Sequence, residues 1–300
     1  MSNPLEDIAL KDIPTILPLL SLPEQEKLLA ELDHLEELKK RNLIQERFMK
    51  FVEEMWPTFI AGRHHSRMAS AFERVARGDC KRLIINMPPR HTKSEFASYL
   101  LPAWFLGKYP HKKVIQTSHT AELAVGFGRK VRNLVDKEVY TTAFPGLGLQ
   151  SDSKAAGRWN TSKGGDYFAI GVGGAVTGKG ADLLIIDDPH SEQEAALAET
   201  SPEIYDKTYE WYTSGPRQRL QPGGAIVIVM TRWSQRDLTA QVLKSAAQRG
   251  GEEWEVIEFP ALMPSGNPLW PEFWPPEELA ALKEELPNSK WMAQYQQNPT

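Results

Sequence analysis

Cysteine is almost absent from this 300-residue chain. The single thiol, Cys80, excludes a disulfide framework and fits a reducing compartment. Long apolar runs are absent too: stretches such as 225–230 fall far short of the ~20 residues of a membrane-spanning helix. The N-terminus carries Glu6 and Asp7 where an export signal would carry bases, so no export is expected. There is no internal repeat and no low-complexity tract. Secreted, membrane-spanning and collagen-like classes are therefore not expected. What remains, with 41% hydrophobic and 25% charged residues, is the composition of a globular protein. At ~150 residues per domain the length suggests about two domains, or one large α/β domain with an appendage.

Strong net charge is also lacking, but the value of −4 conceals an asymmetry. Residues 1–40 hold nine acids and four lysines, whereas residues 62–132 hold fourteen Lys or Arg and only four acids. A basic block within a near-neutral chain points to a polyanion, either nucleotide phosphate or nucleic-acid backbone. The alternative is a solvated face whose charges pair after folding.

Along the chain, residues 1–22 are punctuated by prolines and are expected to form an extended arm with short turns. Helical spacing follows over 23–40, 44–56 and 65–77, the last closed by Gly78. From Arg82 the pattern becomes strand, loop, helix: RLIIN at 82–86, helix over 94–106, KVIQT at 113–117, helix over 121–135. Beyond a glycine-rich stretch with a short strand at 167–171 come DLLII at 182–186, a helix over 202–212, AIVIVM at 225–230 and a helix over 236–247. Short continuous apolar strands alternating with helices predict a mainly parallel sheet covered by helices on both faces. The expected division is an N-terminal acidic arm and helix (1–47), a core (48–250) and a small C-terminal subdomain (251–300) with a strand WEVIEF and a helix over 276–286.

The turn after the first sheet strand reads Met87-Pro88-Pro89-Arg90-His91-Thr92-Lys93-Ser94. The P-loop pattern places glycine where Met87 and Thr92 stand, so only Lys93-Ser94 match it. Position strengthens the match, since backbone N–H groups at a helix start favour phosphate. Pro88 and Pro89 have no N–H, so the donors are expected from Arg90 to Ser94, with Pro89, Arg90, His91, Thr92, Lys93 and Ser94 forming the nucleotide loop. Lys93 would meet the β- and γ-phosphates, Ser94 would bind Mg²⁺, and Arg90 is placed to meet the γ-phosphate. The alternative is a basic helix cap. A carboxylate at the end of a neighbouring strand is the other requirement, and the DLLII strand runs into Asp187-Asp188. Asp187 is then the metal carboxylate and Asp188 the base that orients water, with Glu192 or Glu194 in reserve. The strand at 225–230 ends in Thr231-Arg232-Trp233; Thr231 would sense the γ-phosphate, Arg232 would contact it or DNA, and Trp233 would pack under a loop.

With these three strands in place the chain resembles the ATPase region of phage terminase large subunits, over about 48–297. The resemblance rests on RLIINMPPRHTKSE (82–95), GKGADLLIIDDP (178–189), PGGAIVIVMTRW (222–233), WEVIEFPAL (254–262), LWPEFWPPEEL (269–279) and YQQNP (295–299). It implies a P-loop NTPase of the ASCE type that uses ATP and Mg²⁺ to drive double-stranded DNA into a procapsid. It further implies a homo-oligomeric ring, a portal protein and a small terminase subunit as partners, and a place in the host-cell cytoplasm, docked transiently on the procapsid. The family's glycine is replaced by Thr92, which can instead cap the helix beginning at Lys93. The family's nuclease is expected to begin just after 295–299, so DNA cleavage is not expected of this chain. The segment 56–65, with Trp56, His64 and His65, matches the family's lead-in and is expected either at an adenine pocket or with Trp56 packed in the core and the histidines at the surface.

Three other functions are compatible with parts of this pattern. One is a helicase-type ATPase, which needs the same residues. Another is a non-catalytic DNA-binding scaffold with a degenerate nucleotide site. The third is a two-metal nuclease built on Asp182, Asp187 and Asp188, grouped around one strand end.

Overall fold

Strands as apolar as RLIIN need cover on both faces, and the fold provides it. The structure is a computed structural model and describes residues 13–300. Most of the expected N-terminal arm, with Glu6, Asp7 and Asp12, lies outside the described residues. The first described element is a helical turn, α1 (Ile13–Ile16), followed by α2 (Leu22–Glu46), α3 (Phe48–Met55) and α4 (Arg63–Arg77), the last stopped by Gly78 at φ +87°. Thus α2 runs further than its leucine spacing predicts. It breaks from α3 only at Arg47, where the backbone is extended.

β1 (Arg82–Asn86) leads through the loop that follows it into a π-helical turn (Glu95–Leu100) continued by α5 (Leu101–Lys108). The widened turn has a cause in Pro102, which lacks an N–H and would crowd the carbonyl four residues before it. Then come β2 (Lys113–Ser118), α6 (Ala121–Val135), α7 (Glu138–Ala143), β3 (Leu149–Ala155), β4 (Arg158–Thr161), β5 (Asp166–Gly171), β6 (Ala181–Asp187), α8 (Glu192–Ala198), α9 (Glu203–Ser214), β7 (Leu220–Met230), α10 (Leu238–Arg249), β8 (Glu255–Glu258) and α11 (Pro276–Glu285).

The eight strands form one sheet in the order β3-β4-β5-β2-β6-β7-β1-β8. All pairs from β5 to β8 are parallel, and only the β3–β4–β5 edge is antiparallel. Side chains alternate across the sheet. Leu83, Ile85, Leu183, Ile185, Val227 and Val229 face a core shared with α3, α4, α5 and α6. Ile84, Leu184, Ile186, Ile226 and Ile228 face Tyr212 of α9 and Leu238 and Val242 of α10.

Two expectations change here. The Asp187 strand is not next to the phosphate-loop strand, because β7 lies between them. Sequence order cannot reveal this, since crossovers of similar length reach either neighbour. The WEVIEF strand also does not belong to the tail: β8 pairs with β1 in the main sheet. Only the segment beyond it has a core of its own, around Ala261, Leu279 and Trp291. Among the described residues no helix is long and apolar enough to cross a membrane.

Candidate functional site

Parallel strands bring their C-terminal ends to one edge, and β1, β6 and β7 deliver the loop, the two aspartates and Thr231 to it together. In the loop, Arg90 has φ +61° and Thr92 φ +69°, while His91 between them keeps negative φ. Alternation of this kind turns successive N–H groups inward and makes a concavity suited to an anion. The N–H groups of Arg90, His91 and Thr92 meet no acceptor among the described residues. Thr92 thus adopts the conformation a glycine would have, at a cost of about 1–2 kcal/mol for a β-branched residue.

Its hydroxyl does not cap the helix, contrary to expectation. It donates to the His91 carbonyl at 2.6 Å and lies 2.7 Å from His65 Nε2. The Gly62 N–H donates to His65 Nδ1 at 2.8 Å, so the ring proton is on Nε2 and points at Thr92. A hydrogen-bonded chain from α4 therefore holds the strained residue. Gly62 is needed for it, because a Cβ there would lie 2.6 Å from Trp270. His64 and His65 are both buried, not at the surface, and pack with His91 and Trp270. Burial pushes His65 down to about 2, His64 to about 3 and His91 to about 4, so all three are neutral. His91 also stacks on Trp274 from the tail.

Lys93 is buried, and its Nζ pairs with Asp188 Oδ2 at 2.8 Å. Burial works against its charge, but Asp188 and Asp187 outweigh it and hold its pKa above the ordinary value. Asp188 turns to φ +41° to make this contact, and its Oδ1 accepts the Thr231 N–H at 2.8 Å. The Thr231 hydroxyl donates to the Met87 carbonyl at 3.2 Å, joining β7 to the loop. Asp187 Oδ1 accepts from Ser94 Oγ at 2.9 Å. Burial first, and then the charge of Asp188, push the Asp187 carboxyl up to about 7.

Arg232 differs from its expected place. Its Nε donates to Asp237 Oδ2 at 2.8 Å, so the guanidinium braces the start of α10. Arg90 is exposed and makes no ion pair among the described residues. Trp233 is half-buried, packing against the core beside α10. Glu194 is engaged at the start of α8, accepting the Ser191 N–H at 2.9 Å, while Glu192 is exposed. A cavity of about 700 Å³ opens between these parts, lined by Pro89, Lys93, Asp188, Glu192 and Thr231. His119 and His190 line it as well; no motif marked them, since each lies just past a strand end.

Asp182 lies at the opposite end of β6 and accepts the Lys113 N–H at 2.8 Å. Asp187 lies five residue steps along the strand from it, roughly 16 Å at ~3.3 Å per residue. The three aspartates do not share one strand end, and among the described residues no cluster of three potential ligands is suited to a metal. The two-metal arrangement is absent from them. Of the fourteen bases in 62–132, five pair with acids (Arg74, Arg77, Arg82, Lys93 and Lys108).

Among solved structures, the chain is similar to the large terminase of bacteriophage HK97, with 13% identity and a TM-score of 0.52 over 84% of this chain and 54% of that one. It is also similar to a mutant of the ATPase domain of the Thermus phage P74-26 large terminase, with 16% identity and a TM-score of 0.51 over 84% of this chain and 98% of that one. The chain has the fold of a large-terminase ATPase domain. The chain spans about half the length of the HK97 protein. No protein-family model and no curated protein matches the sequence.

Two predictions concern how the loop around Thr92 is held. Thr92→Gly and Thr92→Ala both lose the hydroxyl, but only glycine sheds the strain. Urea unfolding should therefore find Thr92→Ala the less stable, by roughly 1 kcal/mol. Equal stability would show that the loop relaxes out of the left-handed conformation. The second concerns acid. The buried histidines bind protons only when unfolded, so stability should be full above about pH 6.5. It should fall below that by roughly 1.4 kcal/mol per pH unit for each histidine. Unfolding midpoints from pH 7.5 to 5 measure this in Asp187→Asn, which removes the carboxyl that is pushed up into that window and acts with the opposite sign, and His64→Phe in that background should flatten the slope.

Proposed function

We propose that this chain is the ATP-hydrolysing motor domain of a viral DNA-packaging terminase. The convergence of Lys93, Ser94, Asp187, Asp188 and Thr231 at one sheet edge is the observation that carries this reading. The residues fit the implied ligands. Ser94 Oγ and Asp187 Oδ1 are hard oxygen donors 2.9 Å apart, suited to Mg²⁺. The unengaged N–H groups of 90–92 suit a phosphate. When bound, Mg²⁺ supplies neutralisation of the phosphate charge.

The chain's own residues do the rest. Lys93 exchanges Asp188 for phosphate oxygens, and the loop amides close on the β-phosphate. Arg90, in mid-loop, meets the γ-phosphate. Asp188, released from Lys93, stays fixed through Oδ1 on the Thr231 N–H and offers Oδ2 to the attacking water, whose proton it accepts. Thr231 reports the change to Met87 through its hydroxyl. Arg232 sets the height of this segment against α10 and does not touch phosphate.

Hydrolysis is coupled, in this reading, to translocation of double-stranded DNA by a homo-oligomeric ring docked on a procapsid in the host cytoplasm, with a portal protein and a small terminase subunit as partners. The bases of 62–132 that have no acidic partner among the described residues, Arg63, Lys81, Arg129 and Lys130 among them, supply sequence-independent contacts to DNA phosphates. A helicase would use the same site; strand displacement by the chain would favour that reading instead.

Mg²⁺-dependent ATPase activity should fall ~100–1,000-fold in Lys93→Ala and in Asp187→Ala. Near-normal hydrolysis in both would sink the assignment. Asp188→Asn should still bind nucleotide, since it frees Lys93, but lose turnover, whereas Glu192→Gln should not. The reverse result moves the base to α8. Duplex DNA should bind weakly and lose affinity steeply between 50 and 200 mM salt (~0.9 log units per log salt for each phosphate neutralised), without metal-dependent cleavage. Plasmid cleavage abolished by Asp187→Ala would replace the motor reading with a nuclease.

A further inference from the structure

Ser98 lies four residues beyond Ser94, inside the π-helical turn, and is fully buried. Its Oγ donates to Asp187 Oδ2 at 2.8 Å, the oxygen that Ser94 leaves open. Behind it stands Gln116, fully buried on β2, with Nε2 3.1 Å from Ser98 Oγ, 3.0 Å from Ser118 Oγ and 3.2 Å from the Thr117 carbonyl.

The direction of each bond follows from chemistry. A carbonyl only accepts, so the amide nitrogen of Gln116 must face Thr117 and the serines. It keeps that orientation although its Oε1 has no partner among the described residues. Gln116 therefore donates to Ser98, and the one proton of the Ser98 hydroxyl is left for Asp187. A relay from Gln116 through Ser98 to Asp187 results, with its polarity set by the backbone of β2, the strand paired directly with β6. A carboxylate pinned at Oδ2 cannot rotate freely about Cβ–Cγ, so Oδ1 stays on the Ser94 side.

We propose that Ser98, held by Gln116, is a positioning residue for the divalent cation: it occupies Asp187 Oδ2 and thereby presents Oδ1. This rests on the ATPase reading and adds two residues to it. Outer partners of this kind typically carry a 10–100-fold effect on metal affinity.

Calorimetric titration of the whole chain with ADP, with and without Mg²⁺, tests it. Ser98→Ala is expected to bind ADP without Mg²⁺ as the wild type does, while the gain in affinity brought by Mg²⁺ shrinks about 10-fold or more. Gln116→Met should lose part of the same gain, and it serves in place of Ser98→Ala should that variant fail to fold. The double variant should lose no more than Ser98→Ala, because Gln116 acts only through Ser98. An undiminished Mg²⁺ gain in folded Ser98→Ala overturns the proposal. So does an equal loss with and without Mg²⁺, which marks loop packing alone. Additive losses in the double variant overturn the relay. A wild-type chain that binds no ADP in either condition overturns the nucleotide reading itself, before any variant is compared.

Discussion

A buried ammonium has to be compensated, and much of the sheet edge follows from how Lys93 is. Only 6% of the residue meets solvent, and leaving such a charge unpaired would cost several kcal/mol. Asp188 answers it at 2.8 Å, but only by leaving the strand conformation of β6 for φ +41°. That turn also brings the Asp188 carboxylate under the Thr231 N–H and so ties β6 to β7. Asp187, one residue earlier, is left buried beside its neighbour's negative charge, which explains why its carboxyl is pushed up to about 7 and why two serine hydroxyls converge on it. The ion pair thus orders this end of the sheet.

Local periodicity carried a large part of the fold. RLIIN at 82–86 and the helix at 121–135 are found with the bounds their patterns predict, because an apolar run between polar turns and a Thr-capped amphipathic stretch leave little choice. Elements whose signal is weak or non-local were not legible. The α8 helix escaped although Ser191-Glu192-Gln193-Glu194 is a capping box, since no apolar stripe follows it. The polar β3 strand is edge-exposed and lacks alternation. Sheet order depends on crossovers that the sequence does not encode locally. Motif spacing picks out Lys93, Ser94, Asp187 and Asp188, which the fold brings together at one sheet edge. Ser98, His65 and Gln116 were legible only through contacts made across the fold. Arg232 shows the opposite failure: a polar residue at a strand end looked like a ligand contact but is engaged by Asp237, five residues on.

The missing glycines bear on whether the nucleotide site is degenerate. A loop that had lost its ligand would be free to relax, and threonine at φ +69° would be among the first things to go. Instead the strain is kept and supported, by a hydroxyl bonded to a buried histidine whose own orientation is set by the Gly62 N–H. The distribution of strain points the same way. Non-glycine residues with positive φ, among those described, are Arg90, Thr92, Asp188 and Gln297. The first three lie in the loop after β1 and in the aspartate pair, and Gln297 accepts the N–H of Arg232, next to Thr231. Backbone strain gathered at one edge, held by a dedicated set of hydrogen bonds and leaving three amides unengaged, is the signature of a surface shaped for an anion. A scaffold that used the sheet only as a platform for DNA would gain nothing from it.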